Sequence, residues 1–181
     1  SYATPNSTNN NKRRFSYVYP KVENIVADQQ AYLKNYVDSF ENSLAAANFQ
    51  DPTRGVRNFA DLPSFIDYFI VNEISRNVDG YRLSAFFYKD RNTKNRKIFA
   101  GPVWDYDLAF RNADYCEGSK SIGWAYQFNY VCPGDGAGLI PFWWNRLMED
   151  TAFVSSLRCR WKEQRNSNLS SDHFIQRIDS V

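Results

Sequence analysis

Two short apolar runs separated by a charged turn constrain this chain more than any other stretch. Residues 83–88 (Leu83 to Tyr88) and 97–101 (Lys97 to Gly101) are mostly aromatic, branched or small. Between them Asp90 to Arg96 is charged and turn-forming. Runs of this kind around such a turn predict an antiparallel β-hairpin. A hairpin returns the chain to where it started, so residues just before 83 and just after 103 share one end of the ribbon. Asp79 precedes the first strand, and Asp105 and Asp107 follow the second. Two or three carboxylates therefore converge. Converging carboxylates repel, which raises a pKa or calls for a cation. Hard oxygen donors of this type suit Mg²⁺, which takes one or two carboxylates together with waters and substrate phosphates. The competing reading has the same aspartates capping helices or pairing with arginines.

On both sides of the hairpin the pattern changes to helical spacing. From Ala27 to about Ala47 the apolar positions Tyr32, Leu33, Tyr36, Val37, Phe40 and Leu44 recur at three and four, the signature of an amphipathic helix. A second helix is predicted from Asp61, with Pro63 in its first turn, to about Arg76. Glu73 falls on its apolar side, three after Ile70 and four after Phe69. A buried carboxylate needs a partner, so Glu73 either orients a neighbouring loop through an ion pair or takes part in catalysis. Asn72 beside it can brace the Asp79 loop. After a glycine-containing loop from Cys116 to Gly138, helical spacing returns at 141–149, 151–164 and 171–179.

Composition narrows the chemistry. With 5 tryptophans, 12 tyrosines and 14 phenylalanines, the 181 residues can bury one aromatic-rich core. Basic and acidic residues number 22 and 20, and a net +2 supplies no surface for capturing nucleic acid. No apolar run approaches the roughly 20 residues of a membrane span, and residues 1–14 lack the hydrophobic centre of a signal peptide. One histidine and three cysteines are too few for a Cys/His zinc site, and a Ser-His hydrolase would hang on His173 alone. Carboxylates are left to do the chemistry. Residues 1–20 read as a loose polar arm and 21–181 as a single domain. A chain that opens on so polar a stretch reads as a frayed terminus or as a fragment of a larger domain.

The segments Asn72 to Arg82, Phe86 to Asp90 and Ala100 to Phe110 together resemble the core of the CotH kinase family. That family is named for a bacterial spore-coat protein and has an atypical protein-kinase-like fold. The resemblance continues through Asn112 to Tyr115 and Pro141 to Trp144 and covers the chain from about residue 20. It implies an α+β fold, a mostly helical kinase-like carboxy-terminal lobe around a central β-hairpin. It also implies ATP-dependent, Mg²⁺-dependent transfer of phosphate to a hydroxyl-bearing acceptor, a protein or another molecule. In kinase-like folds one aspartate orients the acceptor hydroxyl and another holds Mg²⁺ on ATP. By motif position these are Asp79 and Asp105, while Asp107 either assists Asp105 or caps the following segment. Protein kinases carry a metal-binding asparagine five positions after the first aspartate. Here that position is Ser84, a poorer magnesium ligand. A nucleotide-gripping lysine in the manner of the kinase amino-terminal lobe has no counterpart, since Lys12 and Lys21 lie in the polar arm and a loop. The chain is thus expected to correspond to the carboxy-terminal half of the family domain, to be monomeric, and to transfer nothing by itself.

Cys116 and Cys132 flank the glycine-containing loop and Cys159 lies on a predicted helix. They are three thiols or one bridge and one thiol. The resemblance to a family whose members are commonly exported favours a Cys116–Cys132 disulfide and an exported or cell-surface location. A rival reading is a non-catalytic surface module in which Trp124, Tyr126, Trp143 and Trp144 stack on sugars or anchor a protein partner. Core packing is the other fate of these rings.

Overall fold

The structure is a computed structural model and describes residues 1–6, 14–132 and 139–180. Its elements in chain order are β1 (Tyr2–Ala3), β2 (Arg14–Phe15), α1 (Ala27–Ala45), α2 (Leu62–Ser75), β3 (Phe87–Lys89), β4 (Ile98–Ala100), α3 (Trp143–Met148), α4 (Thr151–Arg165) and α5 (Ser171–Asp179). Short 3₁₀ turns occupy Val56–Asn58 and Ala125–Tyr130. The fold is α+β, with helices surrounding two small antiparallel sheets. No helix among the described residues is long and apolar enough to cross a membrane.

Helix α2 begins as its sequence dictates. The Asp61 side chain accepts from the Ser64 N–H, and proline sits in the first turn, where its missing N–H leaves nothing unpaired. Seven of its residues are buried, among them Phe65, Tyr68 and Phe69. It ends where Arg76 adopts a left-handed φ of 48°. Against α2 pack Trp144, stacked on Tyr68 at 5.9 Å, and Phe87 of β3, whose ring lies 5.9 Å from Phe65. Phe40 of α1 meets Trp143 edge-on at 4.9 Å. The core is therefore a continuous aromatic cluster joining α1, α2, α3 and the hairpin.

The hairpin forms, but it is shorter than the pattern predicts. β3 pairs with β4 in the register Phe87↔Ala100, Tyr88↔Phe99 and Lys89↔Ile98. Leu83 to Ala85 are withdrawn from pairing by the preceding turn, in which the Asp79 carbonyl accepts the N–H groups of Arg82, Leu83 and Ser84 at 3.0–3.1 Å. With its backbone committed there, Leu83 is left 61 % exposed. At the far end of the ribbon the Lys89 ammonium stabilises the turn, donating to the carbonyls of Asp90 and Asn95 and to the Asn92 side chain.

Two expectations are corrected. The polar arm is not loose at its ends: β1 pairs with β2, and Phe15 stacks on Trp143 at 5.7 Å. Aromatic burial overrides the polar composition there, while residues 7–13, which include Lys12, lie outside the described residues. Trp143 and Trp144 are fully buried and Tyr126 is nearly so. These three rings fill the core and cannot form a sugar- or partner-binding shelf. Trp124 is 53 % exposed.

Candidate functional site

The turn after α2 and the loop after β4 meet at one end of the hairpin, and Asn77 joins them. Asn77 is fully buried. Its Oδ1 accepts the Asp79 N–H at 3.1 Å and its Nδ2 donates to the Asp105 carbonyl at 3.3 Å. Ser84 adds a second link, its Oγ donating to Asp105 Oδ2 at 3.3 Å. Asp105 itself holds a left-handed φ of 61°, a conformation that aspartate tolerates better than most residues. The residue is otherwise exposed, and beside it Trp104 stands 62 % exposed.

Asp79 is held differently. Its carboxylate sits between Arg82, whose Nε donates to Oδ1 at 3.3 Å and whose Nη2 lies 3.2 Å from the same oxygen, and Tyr115, whose hydroxyl donates to Oδ2 at 3.4 Å. Asp107 contributes its carbonyl to Asn112 at 2.6 Å. Its exposed carboxylate has no hydrogen-bond or ion-pair partner among the described residues.

The shell behind these loops is tight. Asn72 donates to the Tyr68 carbonyl at 2.9 Å and accepts from the Tyr106 hydroxyl at 3.0 Å. Gly80 lies against it: a Cβ there would come within 1.7 Å of Asn72 Oδ1. The Tyr68 hydroxyl donates to the Gly80 carbonyl at 2.6 Å. Asn72 thus braces both loops, the Asp79 turn by contact and the Asp105 loop through Tyr106. Burial pushes the Tyr106 hydroxyl up to about 12, so it stays a neutral donor.

Glu73 is engaged, though not in the ion pair expected of it. Its carboxylate accepts from the Tyr81 hydroxyl at 2.9 Å and from the N–H groups of Ala125 at 2.8 Å and Tyr126 at 2.9 Å. It caps the 3₁₀ turn at 125–130. Burial raises its pKa, and the two backbone donors partly oppose the rise. Arg76 donates to the carbonyls of Glu117 and Gly123 and lies over the Phe128 ring at 4.9 Å, acting on Glu73 through its charge without an ion-pair contact among the described residues.

Cys116 and Cys132 are bonded, and Cys159 is a free, exposed thiol. Among the described residues no group of three His, Cys, Asp or Glu side chains could hold a metal ion. Mg²⁺ needs no such cluster: one or two carboxylates suffice when waters and phosphates complete its shell. Asp105, Asp107 and the Ser84 hydroxyl are hard oxygen donors of the required kind. Asp79 is a poorer choice, because Arg82 already neutralises it.

Sequence reasoning missed Asn77, Arg82 and Tyr115 as site residues. Asn77 carries a signal in retrospect, since asparagine just past a helix end commonly turns its side chain onto the backbone two residues on. It also missed Glu41, buried on α1, whose carboxylate accepts from Trp143 Nε1 at 2.9 Å and from the Asn6 N–H at 3.0 Å.

An α+β domain whose hairpin brings two aspartate loops together, each tied to the other by polar side chains, is the arrangement defined by these contacts. The chain belongs to the CotH kinase family: the family described as CotH kinase protein matches residues 2–181, including the amino-terminal arm. No curated protein matches the chain. No solved structure matches it either.

Proposed function

We propose that this chain forms the acceptor- and metal-facing part of an ATP-dependent phosphotransferase with a kinase-like lobe. The observation that carries this reading is the Asn77 bridge, which fixes the backbones of Asp79 and Asp105 against each other although they lie on different loops. In phosphoryl transfer the protein chiefly positions and stabilises charge, and a rigid pair of carboxylates in different surroundings suits that task. Asp79, its oxygens directed by Arg82 and Tyr115, accepts the hydrogen of the acceptor hydroxyl and orients its oxygen. Asp105 would hold Mg²⁺, with the exposed Asp107 carboxylate and the Ser84 hydroxyl, which donates to Asp105, as further oxygen donors. When bound, Mg²⁺ neutralises charge on the phosphate oxygens of ATP. Glu73 acts as a loop anchor and not on the substrate, since three donors already occupy its oxygens.

The acceptor carries a hydroxyl and is a protein or another molecule. The disulfide supports an exported or cell-surface location. Among the described residues the one strand lysine, Lys89, has its ammonium bound to the hairpin turn, so it is not assigned a nucleotide-gripping role.

The test compares full-length polypeptide with Asp79→Asn and Asp105→Asn in Mg²⁺-dependent transfer from ATP. Each substitution is expected to lower turnover by about 100-fold or more, and Asp105→Asn also to weaken Mg²⁺-dependent ATP binding in calorimetry. Transfer that survives Asp105→Asn refutes the mechanism. Wild-type polypeptide that binds neither ATP nor Mg²⁺ points to the non-catalytic surface module.

A further inference from the structure

Between Asp79 and the disulfide lies a single guanidinium. The Arg82 side chain is only 7 % exposed and that of Asp79 15 %. On one side Arg82 donates from Nε to Asp79 Oδ1 at 3.3 Å. Nη2 is shared between the two sides, 3.2 Å from the same Asp79 oxygen and 3.5 Å from Cys116 Sγ, and Nη1 lies 3.8 Å from Cys132 Sγ. A guanidinium is planar with its donors in a rigid fork, so its two edges cannot move independently. Whatever fixes one edge orients the other.

The crosslink is itself anchored to the site from two directions. Cys116 follows Tyr115, which donates to the second oxygen of Asp79. Cys132 is joined backbone to backbone to Phe128, in the 3₁₀ turn that Glu73 caps. The sulfurs therefore form a fixed wall, and Arg82 presses the Asp79 carboxylate from that wall. Among the described residues the crosslink reaches one Asp79 oxygen through Arg82, and the other through Tyr115 beside Cys116.

We propose that Arg82 is the positioning residue for Asp79, and that it transmits to that carboxylate the rigidity of the Cys116–Cys132 crosslink. The role rests on Asp79 orienting the acceptor hydroxyl, but the coupling itself does not. It predicts that the crosslink's effect on the Asp79 turn falls away once Arg82 is replaced, the Tyr115 link carrying little of it.

The experiment is a double-mutant cycle of Arg82→Gln with the paired substitution Cys116→Ser/Cys132→Ser. Its first readout needs no catalysis: hydrogen exchange at the amides of Arg82, Leu83 and Ser84, which donate to the Asp79 carbonyl, with α2 amides as the control for global stability. Either change alone is expected to speed exchange in this turn several-fold with α2 unchanged, and the combination no more than Arg82→Gln alone. Losses that multiply, or a turn indifferent to the crosslink, overturn the proposal. If the serine pair unfolds the domain, reducing the wild type and Arg82→Gln with a phosphine under native conditions supplies the same comparison. The second readout is kinetic, in full-length polypeptide: Arg82→Gln is expected to lower kcat at least tenfold with the KM for ATP unchanged, and Arg82→Lys to recover part of it. Full activity in Arg82→Gln alongside an inactive Asp79→Asn overturns the positioning role and leaves the phosphotransferase reading standing. Full activity in Asp79→Asn overturns that reading instead.

Discussion

Ser84 and Asp105 meet across the hairpin, the serine hydroxyl donating to one carboxylate oxygen at 3.3 Å. Ser84 is also the residue whose N–H closes the turn on the Asp79 carbonyl. One residue thus has its backbone in the Asp79 turn and its side chain on Asp105. This gives Ser84 a use at the position where protein kinases place a metal-binding asparagine: it directs the Asp105 carboxylate, to which the proposed function assigns Mg²⁺.

Ser84→Ala should therefore separate orientation from ligation. Removing one hydrogen bond to a charged group is expected to lower stability by about 1–2 kcal/mol. Mg²⁺-dependent ATP binding should weaken modestly, far less than in Asp105→Asn. Urea unfolding and calorimetry on full-length polypeptide check both, and a Ser84→Ala variant as defective as Asp105→Asn would show that the hydroxyl is a required ligand.

Gly80→Ala tests the packing behind the site. The added methyl would overlap Asn72 Oδ1 at 1.7 Å, and Asn72 is held on both its nitrogen and its oxygen by Tyr68 and Tyr106. The clash cannot be relieved by a flexible side-chain end. A loss of about 2–3 kcal/mol is expected, in the range of overpacked cores. Unchanged urea midpoints would mean that the Asp79 turn yields easily.

The outline of this fold is legible in the sequence because its main determinants are local. Helical spacing marks α1 and α2, Asp61 and Pro63 mark the start of α2, and the charged run 90–96 marks the hairpin turn. What could not be read depends on pairings distant in the chain. Glu41 on α1 looks like a surface residue of an amphipathic helix until Trp143 and Asn6 are seen to close over it. The arm looks polar until Phe15 reaches Trp143. Trp143 and Trp144 offer no sequence cue that separates a core ring from an exposed one. In the site, the aspartates were legible as carboxylates flanking a hairpin, whereas Arg82 and Asn77 acquire meaning only from what they touch.

Thiol counting checks the crosslink. Unreduced native protein should react with a thiol reagent at Cys159, exposed on α4, and at no other cysteine. Closing a loop of 16 residues is expected to stabilise by about 3 kcal/mol, so full reduction should lower the unfolding free energy by that order. Three reactive thiols without reductant would remove the crosslink and with it the wall behind Arg82.

Buried Glu41 and half-buried Glu73 set a pH dependence with a definite sign. Burial raises the pKa of Glu41 and of Glu73 above the ordinary 4.5, despite hydrogen bonds that pull the other way. Between the ordinary value and the raised one, the folded protein binds more protons at these sites than the unfolded chain does. Stability contributed by the pair therefore rises as pH falls through that window and declines as pH climbs out of it. Comparing wild type with Glu41→Gln/Glu73→Gln removes the background from other groups. Both glutamines place an amide nitrogen near backbone donors, at Asn6 or at Ala125 and Tyr126, so the variant should be less stable throughout. Its deficit should be larger at pH 5.5 than at pH 8 by urea unfolding. A deficit that is constant, or that grows with pH, would show that the two carboxylates are not held in the protonation state that burial favours.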